Sequence, residues 1–427
     1  MLNALLPHVV ALRERWPRLY AWLVSVGRRH LRGTLGIYPR PLANELGAVA
    51  DVLRGSQWNM AYGKGLVHER LEHAFADYVG AGHAIAVNTG GMALQMSIRA
   101  LGLKPGDEII HQVDTCAASA LAVVNAGCTP FFADISADTF MLSMPDARAA
   151  IGSATKAIIA THMWGSVEDL DAIADLQRQY GLRVIEDACL ALGATHRGRR
   201  VGAFGDVGVF SFGCLKPIQT GEGGMIVTND EALARELRAM RHWGDRTIEF
   251  GVRDVVQLSW NGRMSEILAA VALEQLKGFP AHLARLREAV AEFAECIKTI
   301  DGVELVSGPP HRNGASFTQA VLRIDEGRLG WTKKTLMEEL RRRGIHVWHA
   351  NFELISSLTF FRDGHWREWL LRADVERTER NMRRPFPTAQ RVFDATGLGL
   401  GQMNFLSKGN LTHLSRQFEQ LASRPMT

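Results

Sequence analysis

Long apolar runs are missing from this chain, and with them the case for a membrane span. In the apolar, arginine-studded stretch 5–32, the longest uncharged run after Pro17 is 19–27, well short of the about 20 residues that a spanning helix needs. The stretch also lacks the charge-first order and small-residue cleavage site of a secretory signal. It reads either as a helix packed on the body of the protein or as a membrane-surface helix. Cysteine is scarce: Cys116, Cys128, Cys189, Cys214 and Cys296 form no CxxC pair. That excludes a disulfide scaffold and a structural zinc site, so no metal is expected, and it fits a reducing, cytoplasmic compartment. Charge of one sign is also short. A net charge of +4 gives no footprint for a nucleic-acid partner. Internal repeats and low-complexity segments are absent.

What is present is an ordinary globular composition, 47% apolar and 22% charged over 427 residues, enough for two or more domains with sizeable cores. Residues 42–54 and 66–79 show helical spacing. Between them 55–65 holds three glycines with Trp58 and Tyr62, which reads either as a ligand rim or as a packed surface loop. From residue 84 strands and helices alternate. Strands are predicted at 84–87, 108–110, 130–135, 157–161 and 182–185, and helices at 92–101, 117–126 and 168–180. Such alternation means a mostly parallel sheet covered by helices on both faces. Ligands bind such sheets at the carboxyl ends of the strands, where Asn88–Gly91, His162, Asp187 and Ser211 fall. Further on, helices are predicted at 231–242, 264–275, 281–300, 333–343 and 411–421, with strands at 303–305 and 316–324. We expect an N-terminal helical extension (1–40), a large domain (41–280) and a small α+β domain (281–427).

The stretch 207–228 contains the residue hardest to explain as structure. Lys216 lies in a turn between predicted strands at 210–212 and 225–228, among Cys214, Leu215, Pro217 and Ile218. Apolar surroundings lower a lysine pKa by desolvation, and a free amine attacks carbonyls to form a Schiff base. Gly221, Gly223 and Gly224 let backbone approach something bulky. Two other features point the same way. Asn88-Thr89-Gly90-Gly91 joins a strand to a helix start, where free amides and the helix dipole suit an anion; a plain turn is the alternative. Asp187 closes an apolar strand and needs a partner: an arginine, a helix end, or the protonated ring nitrogen of a cofactor. Combined with Ser211, five residues before Lys216, these parts make a kit for pyridoxal phosphate.

The chain resembles the sugar aminotransferases of the DegT/DnrJ/StrS type, within the fold-type-I pyridoxal-phosphate enzymes, over residues ~42–280. The matching segments include Lys104-Pro-Gly-Asp-Glu-Ile-Ile110, His162-Met-Trp-Gly165, Val184-Ile-Glu-Asp-Ala188, Gly202-Ala-Phe-Gly-Asp206, Phe210-Ser-Phe212, Lys216, Gly221-Glu-Gly-Gly224 and Asn261-Gly-Arg-Met-Ser-Glu266. The resemblance implies an α/β fold, with a large, mostly parallel sheet flanked by helices and a smaller C-terminal domain. It implies that Lys216 holds pyridoxal 5'-phosphate covalently and shuttles the proton, and that Asp187 keeps the ring nitrogen protonated. Ser211, Gly90 and Gly91 would bind the phosphate, while Cys116 and Ser119 would line the cofactor. Asn261 would reach the neighbouring subunit's cofactor in a homodimer with shared sites. The implied reaction moves an amino group from glutamate or glutamine to a keto sugar, nucleotide-linked, or a keto cyclitol.

Four positions depart from the family pattern: Cys116 replaces an aromatic, Leu190 a Gln or His, Gly91 a Thr, and Gly262 the aromatic before Arg263. They leave a non-catalytic, regulatory cofactor-binding protein as one alternative. A sugar dehydratase is the other, against which Lys216 argues, since the deoxygenating branch typically carries histidine there.

Overall fold

Seven strands build the principal sheet of the computed structural model, which describes residues 43–55, 66–245, 254–306, 314–350, 352–370, 372–405 and 407–423. They are β1 (His83–Val87), β2 (Glu108–Gln112), β3 (Thr129–Ala133), β4 (Thr155–Thr161), β5 (Arg183–Asp187), β8 (Val207–Ser211) and β9 (Gly224–Thr228). A two-residue ribbon, β6 (Thr195–His196) with β7 (Arg199–Arg200), interrupts the series. The order across the sheet is β1-β9-β8-β5-β4-β2-β3, and only β9 runs against its neighbours. The parallel strands β2 and β3 are buried along their whole length, as expected when helices cover both faces. The predictions for residues 1–40 and nearly all of the loop 55–65 lie outside the described residues.

Both outer strands are sealed by side chains acting as substitute strand partners, which removes the aggregation hazard of a bare edge. On β1, Glu72 accepts the Ala86 N–H (2.9 Å) while Arg241, ion-paired to Glu72, donates to the Ala86 carbonyl (3.2 Å). On β3, the Asn381 amide takes the Phe132 N–H (2.7 Å) and donates to its carbonyl (2.8 Å).

A second sheet of four antiparallel strands follows: β10 (Val303–Leu305), β11 (Gln319–Ile324), β12 (Val347–His349) and β13 (Gly397–Gly401), in the order β10-β11-β13-β12. The strand β13, GLGLG, was not expected, because glycine is poor in strands. Its alternation explains it: Leu398 and Leu400 are fully buried, while a Cβ at Gly401 would lie 2.2 Å from the Trp348 ring. Only glycine fits that face.

The helices predicted at 264–275 and 281–300 are one helix, Glu266–Ile297, with Pro280 inside it. Proline removes one helical hydrogen bond; here Pro280 is on the exposed face, where water can take the freed carbonyl. The helix serves both cores in turn. Leu273, Leu276, Phe279 and Leu283 pack under the seven-stranded sheet, and Leu286, Val290, Phe293 and Ile297 pack under the four-stranded one. The expected domain limit at 280 therefore falls within a single rigid element, and Leu42–Thr427 form one compact unit.

Candidate active site

The carboxyl ends of β4, β5 and β8 lie side by side, and the register sets Thr161 opposite Asp187 and Asp187 opposite Val209. Ser211 ends β8 two residues further on. Asp187 is only 6% exposed. Its Oδ1 accepts the Cys189 N–H at 3.2 Å, and it forms no ion pair among the described residues. A buried carboxylate that meets only the amide and thiol of Cys189, with no ion pair among the described residues, is costly, so its position at a strand end fits a group that brings its own positive charge.

Lys216 is half-buried in the loop between β8 and β9. The loop is closed at its base by Phe212 N–H to Gly223 (2.9 Å) and Thr220 N–H to Phe212 (2.9 Å). The apolar surround expected for Lys216 is one-sided: Pro217 and Ile218 are buried, whereas Cys214 and Leu215 are exposed. Leu215 holds φ 66°, a left-handed backbone rare for a branched residue. The thiol of Cys189 reports which groups converge. Burial pushes it well above its ordinary range, the Asp187 carboxylate pushes the same way, the Lys216 ammonium pulls back, and Cys116 acts on it too. Sequence reasoning had not singled out Cys189; its place two residues after Asp187 was the available signal.

The glycine turn faces this group. Thr89 caps the helix Gly90–Ala100 by accepting the Met92 N–H at 2.9 Å. The amides of Gly90 and Gly91 are the first-turn donors that such a cap leaves over. A Cβ at Gly90 would lie 2.7 Å from Ser211 Cβ and 3.3 Å from Cys189 Sγ, so glycine is required for Ser211 to approach the helix start. Cys116 is exposed and begins the helix Ala117–Asn125 without a side-chain cap. Ser119 is buried in its first turn, and its hydroxyl has no hydrogen-bond partner among the described residues. Asn261 is exposed; its carbonyl accepts from Asn88 Nδ2 (3.1 Å), beside the glycine turn.

His162 does not join the site. Its ring is fully buried, accepting the Glu168 N–H at Nδ1 (3.1 Å) and meeting Glu186 at Nε2 (3.1 Å). Burial pushes the Glu186 carboxyl up, but His162 and the amides of Gly202 and Gly205 outweigh it and hold the group below its ordinary range. His162 and Glu186 are scaffolding beneath β4 and β5. A cavity of about 560 Å³ between Arg183, Asp206 and Asp230 opens at the opposite, amino end of these strands and includes none of the expected residues.

The strand order and the helices that flank the sheet define a fold-type-I transferase. The chain belongs to the DegT/DnrJ/EryC1/StrS aminotransferase family, whose sequence pattern matches residues 41–381, and it is an aminotransferase. A GDP-perosamine synthase of Caulobacter vibrioides is 36% identical over 310 residues, covering 72% of this chain and 81% of that protein. The aminotransferase structure from Psychrobacter cryohalolentis matches with a TM-score of 0.82 at 25% identity, covering 91% of this chain and 98% of that one. DesI, solved in the presence of its TDP-sugar product, matches with a TM-score of 0.76 at 26% identity, covering 90% of this chain and 91% of that one.

Proposed function

We propose that the chain is a homodimeric, cytoplasmic pyridoxal-phosphate aminotransferase that moves an amino group from glutamate or glutamine to a keto sugar carried on a nucleotide. The observation that carries the cofactor is the buried Asp187, which forms no ion pair among the described residues and lies beside Cys189, a thiol that also feels the Lys216 charge, opposite a helix start where a Cβ at Gly90 would strike Ser211. The nucleotide-sugar substrate rests on the GDP-perosamine synthase and on DesI with its TDP-sugar product. Neither alternative, dehydratase or regulatory protein, is favoured by any feature of the site.

When bound, pyridoxal phosphate supplies a carbonyl that takes up an amine and a ring that accepts the electron pair freed at the neighbouring carbon. Lys216 Nζ would be the amine that holds the cofactor, and once released it would be the base placed to move a proton to and from the donor Cα. Asp187 would keep a proton on the ring nitrogen. Ser211 Oγ and the Gly90 and Gly91 amides would hold the phosphate, and Cys116 and Ser119 would line the cofactor. The absence of an aromatic at Cys116 and of a polar side chain at Leu190 should each weaken cofactor retention by about 1 kcal/mol.

The dimer is supported by an exposed apolar patch, Trp243 (42%), Val255 (57%), Val256 (44%) and Leu258 (80%), next to the exposed Asn261. Mixing Lys216→Ala and Asn261→Asp subunits should restore activity if sites are shared, because one site of each hybrid carries neither defect. Hybrids that form without exceeding either parent would oppose sharing. The cytoplasmic reading is supported by five free thiols. The function itself is tested by a single half-reaction. Glutamate or glutamine should bleach the yellow protein with release of one 2-oxo acid per site, and a nucleotide-linked keto sugar should restore the colour. Tight cofactor binding with no oxo acid from any amino donor would overturn the reading.

A further inference from the structure

The segment 314–318, just before β11, is fastened both to the turns of the active-site half and to the smaller sheet. Arg287, from the long helix, donates to the Gly314 carbonyl (2.7 Å), the Ala315 carbonyl (2.9 Å) and the Gly193 carbonyl (3.0 Å). The Ser316 N–H donates to the Gly165 carbonyl at 2.9 Å, and Gln402 Nε2 donates to the Phe317 carbonyl at 2.9 Å. The Thr318 hydroxyl donates to the carbonyl of Leu190, with Ser316 Oγ 3.4 Å from the same oxygen.

Backbone strain accompanies these contacts. Phe317 holds φ 49° and Trp164 holds φ 56°, conformations that persist in bulky residues only where surrounding contacts over-determine them. Gly165 sits between them; a Cβ there would lie 2.5 Å from Ser316 Oγ and 2.7 Å from the Phe317 N. The segment is thus pressed onto the turns that follow β4 and β5.

One of those turns carries Asp187. The turn is closed from inside by the Cys189 N–H on Asp187 Oδ1 (3.2 Å) and by the Ala191 N–H on the Ala188 carbonyl (2.9 Å). From outside it is held at Leu190, the position where the family's polar side chain is missing. We infer that Thr318 is a positioning residue for Asp187: by fixing the Leu190 carbonyl it keeps the Cys189 amide on Oδ1 and so aims the carboxylate at the cofactor ring. Thr318 is 7% exposed and Ser316 2%, so water does not substitute for the hydroxyl when it is removed. The segment leading into the four-stranded sheet thereby bears on the active site through the Leu190 carbonyl.

The inference rests on the pyridoxal-phosphate reading above, and the test separates the two. Wild type, Thr318→Val and Thr318→Ser are each compared without cofactor and with it, by melting temperature, by cofactor dissociation rate and by the pH titration of the visible absorbance. Thr318→Val should release cofactor on the order of tenfold faster, gain a smaller melting increment from pyridoxal phosphate, and titrate at a shifted pH; Thr318→Ser should recover all three. Ser316→Ala should move them in the same direction by less, and decides the matter should Thr318→Val fail to fold. A purely structural role would lower both melting temperatures equally and leave dissociation and titration unchanged, which would overturn the inference while the function stands. Wild-type protein that takes up no pyridoxal phosphate would overturn the function, and the inference with it.

Discussion

The seven-stranded and four-stranded sheets share one helix yet are built on opposite terms. In the first, parallel strands end together, so residues from β5 and β8 and the turn after β1 meet at one edge of the sheet. In the second, every pairing is antiparallel, and its buried residues, such as Leu322, Ile324, Leu398 and Leu400, face the long helix. Chemistry gathers where strand ends converge. The smaller sheet is tied to that edge through the hydroxyl of Thr318 and the carbonyls held by Arg287, and on the inference above it supplies position rather than reactivity.

The sharpest test of that division is Lys216→Ala. It should abolish transamination, by at least on the order of 10³-fold, while the melting temperature stays close to that of wild type. Substantial turnover by this variant with cofactor still bound would place the chemistry elsewhere and break the comparison.

A smaller effect, still within the large sheet, separates two adjacent glycines. Gly90→Ala sets a Cβ 2.7 Å from Ser211 Cβ and should cost about 1–3 kcal/mol of stability, with cofactor binding weakened as Ser211 is displaced. Gly91→Ala meets nothing nearer than Thr89 Oγ1 at 3.9 Å and should be close to neutral. Denaturation midpoints and cofactor affinities of the pair give the answer; equal behaviour would mean that Ser211 does not press on the helix start.

An effect on stability alone, away from the chemistry, is expected from Asp114, buried just after β2. Burial pushes its carboxyl up to about 8; its own backbone hydrogen bond opposes this, and the charges of Asp134 and Glu168 add to it. The unfolded value is about 3.9, so between these limits the folded state holds a proton that the unfolded state has lost. Stability should therefore fall as pH rises from about 4 to 8. Asp114→Asn should remove that slope and leave cofactor affinity unchanged. Urea midpoints at pH 5 and pH 8 measure it, and parallel pH profiles for the two proteins would contradict the assignment.

How much was legible in the sequence follows from where each signal resides. The strand and helix alternation from residue 84 onward was readable because burial on both faces of a parallel sheet demands unbroken apolar runs. His162 was misplaced because position at a strand end does not say which way a ring turns; Glu186 and the Glu168 amide decided that. The helix Glu266–Ile297 reads as two pieces in the sequence, and the strand Gly397–Gly401 was not expected, because local propensity is weak against packing.

The sequence by itself pointed to the parts proposed for the site, whose chemistry admits few residue types: an amine at Lys216, a carboxylate at Asp187, glycines at a helix start, and a hydroxyl at Ser211. Tertiary structure alone decided what holds them. Thr318 meets Leu190 across 128 positions, and Asn381 meets Phe132 across 249. Local composition carries no trace of such pairs, since each becomes favourable only when folding has buried a backbone group that water can no longer satisfy.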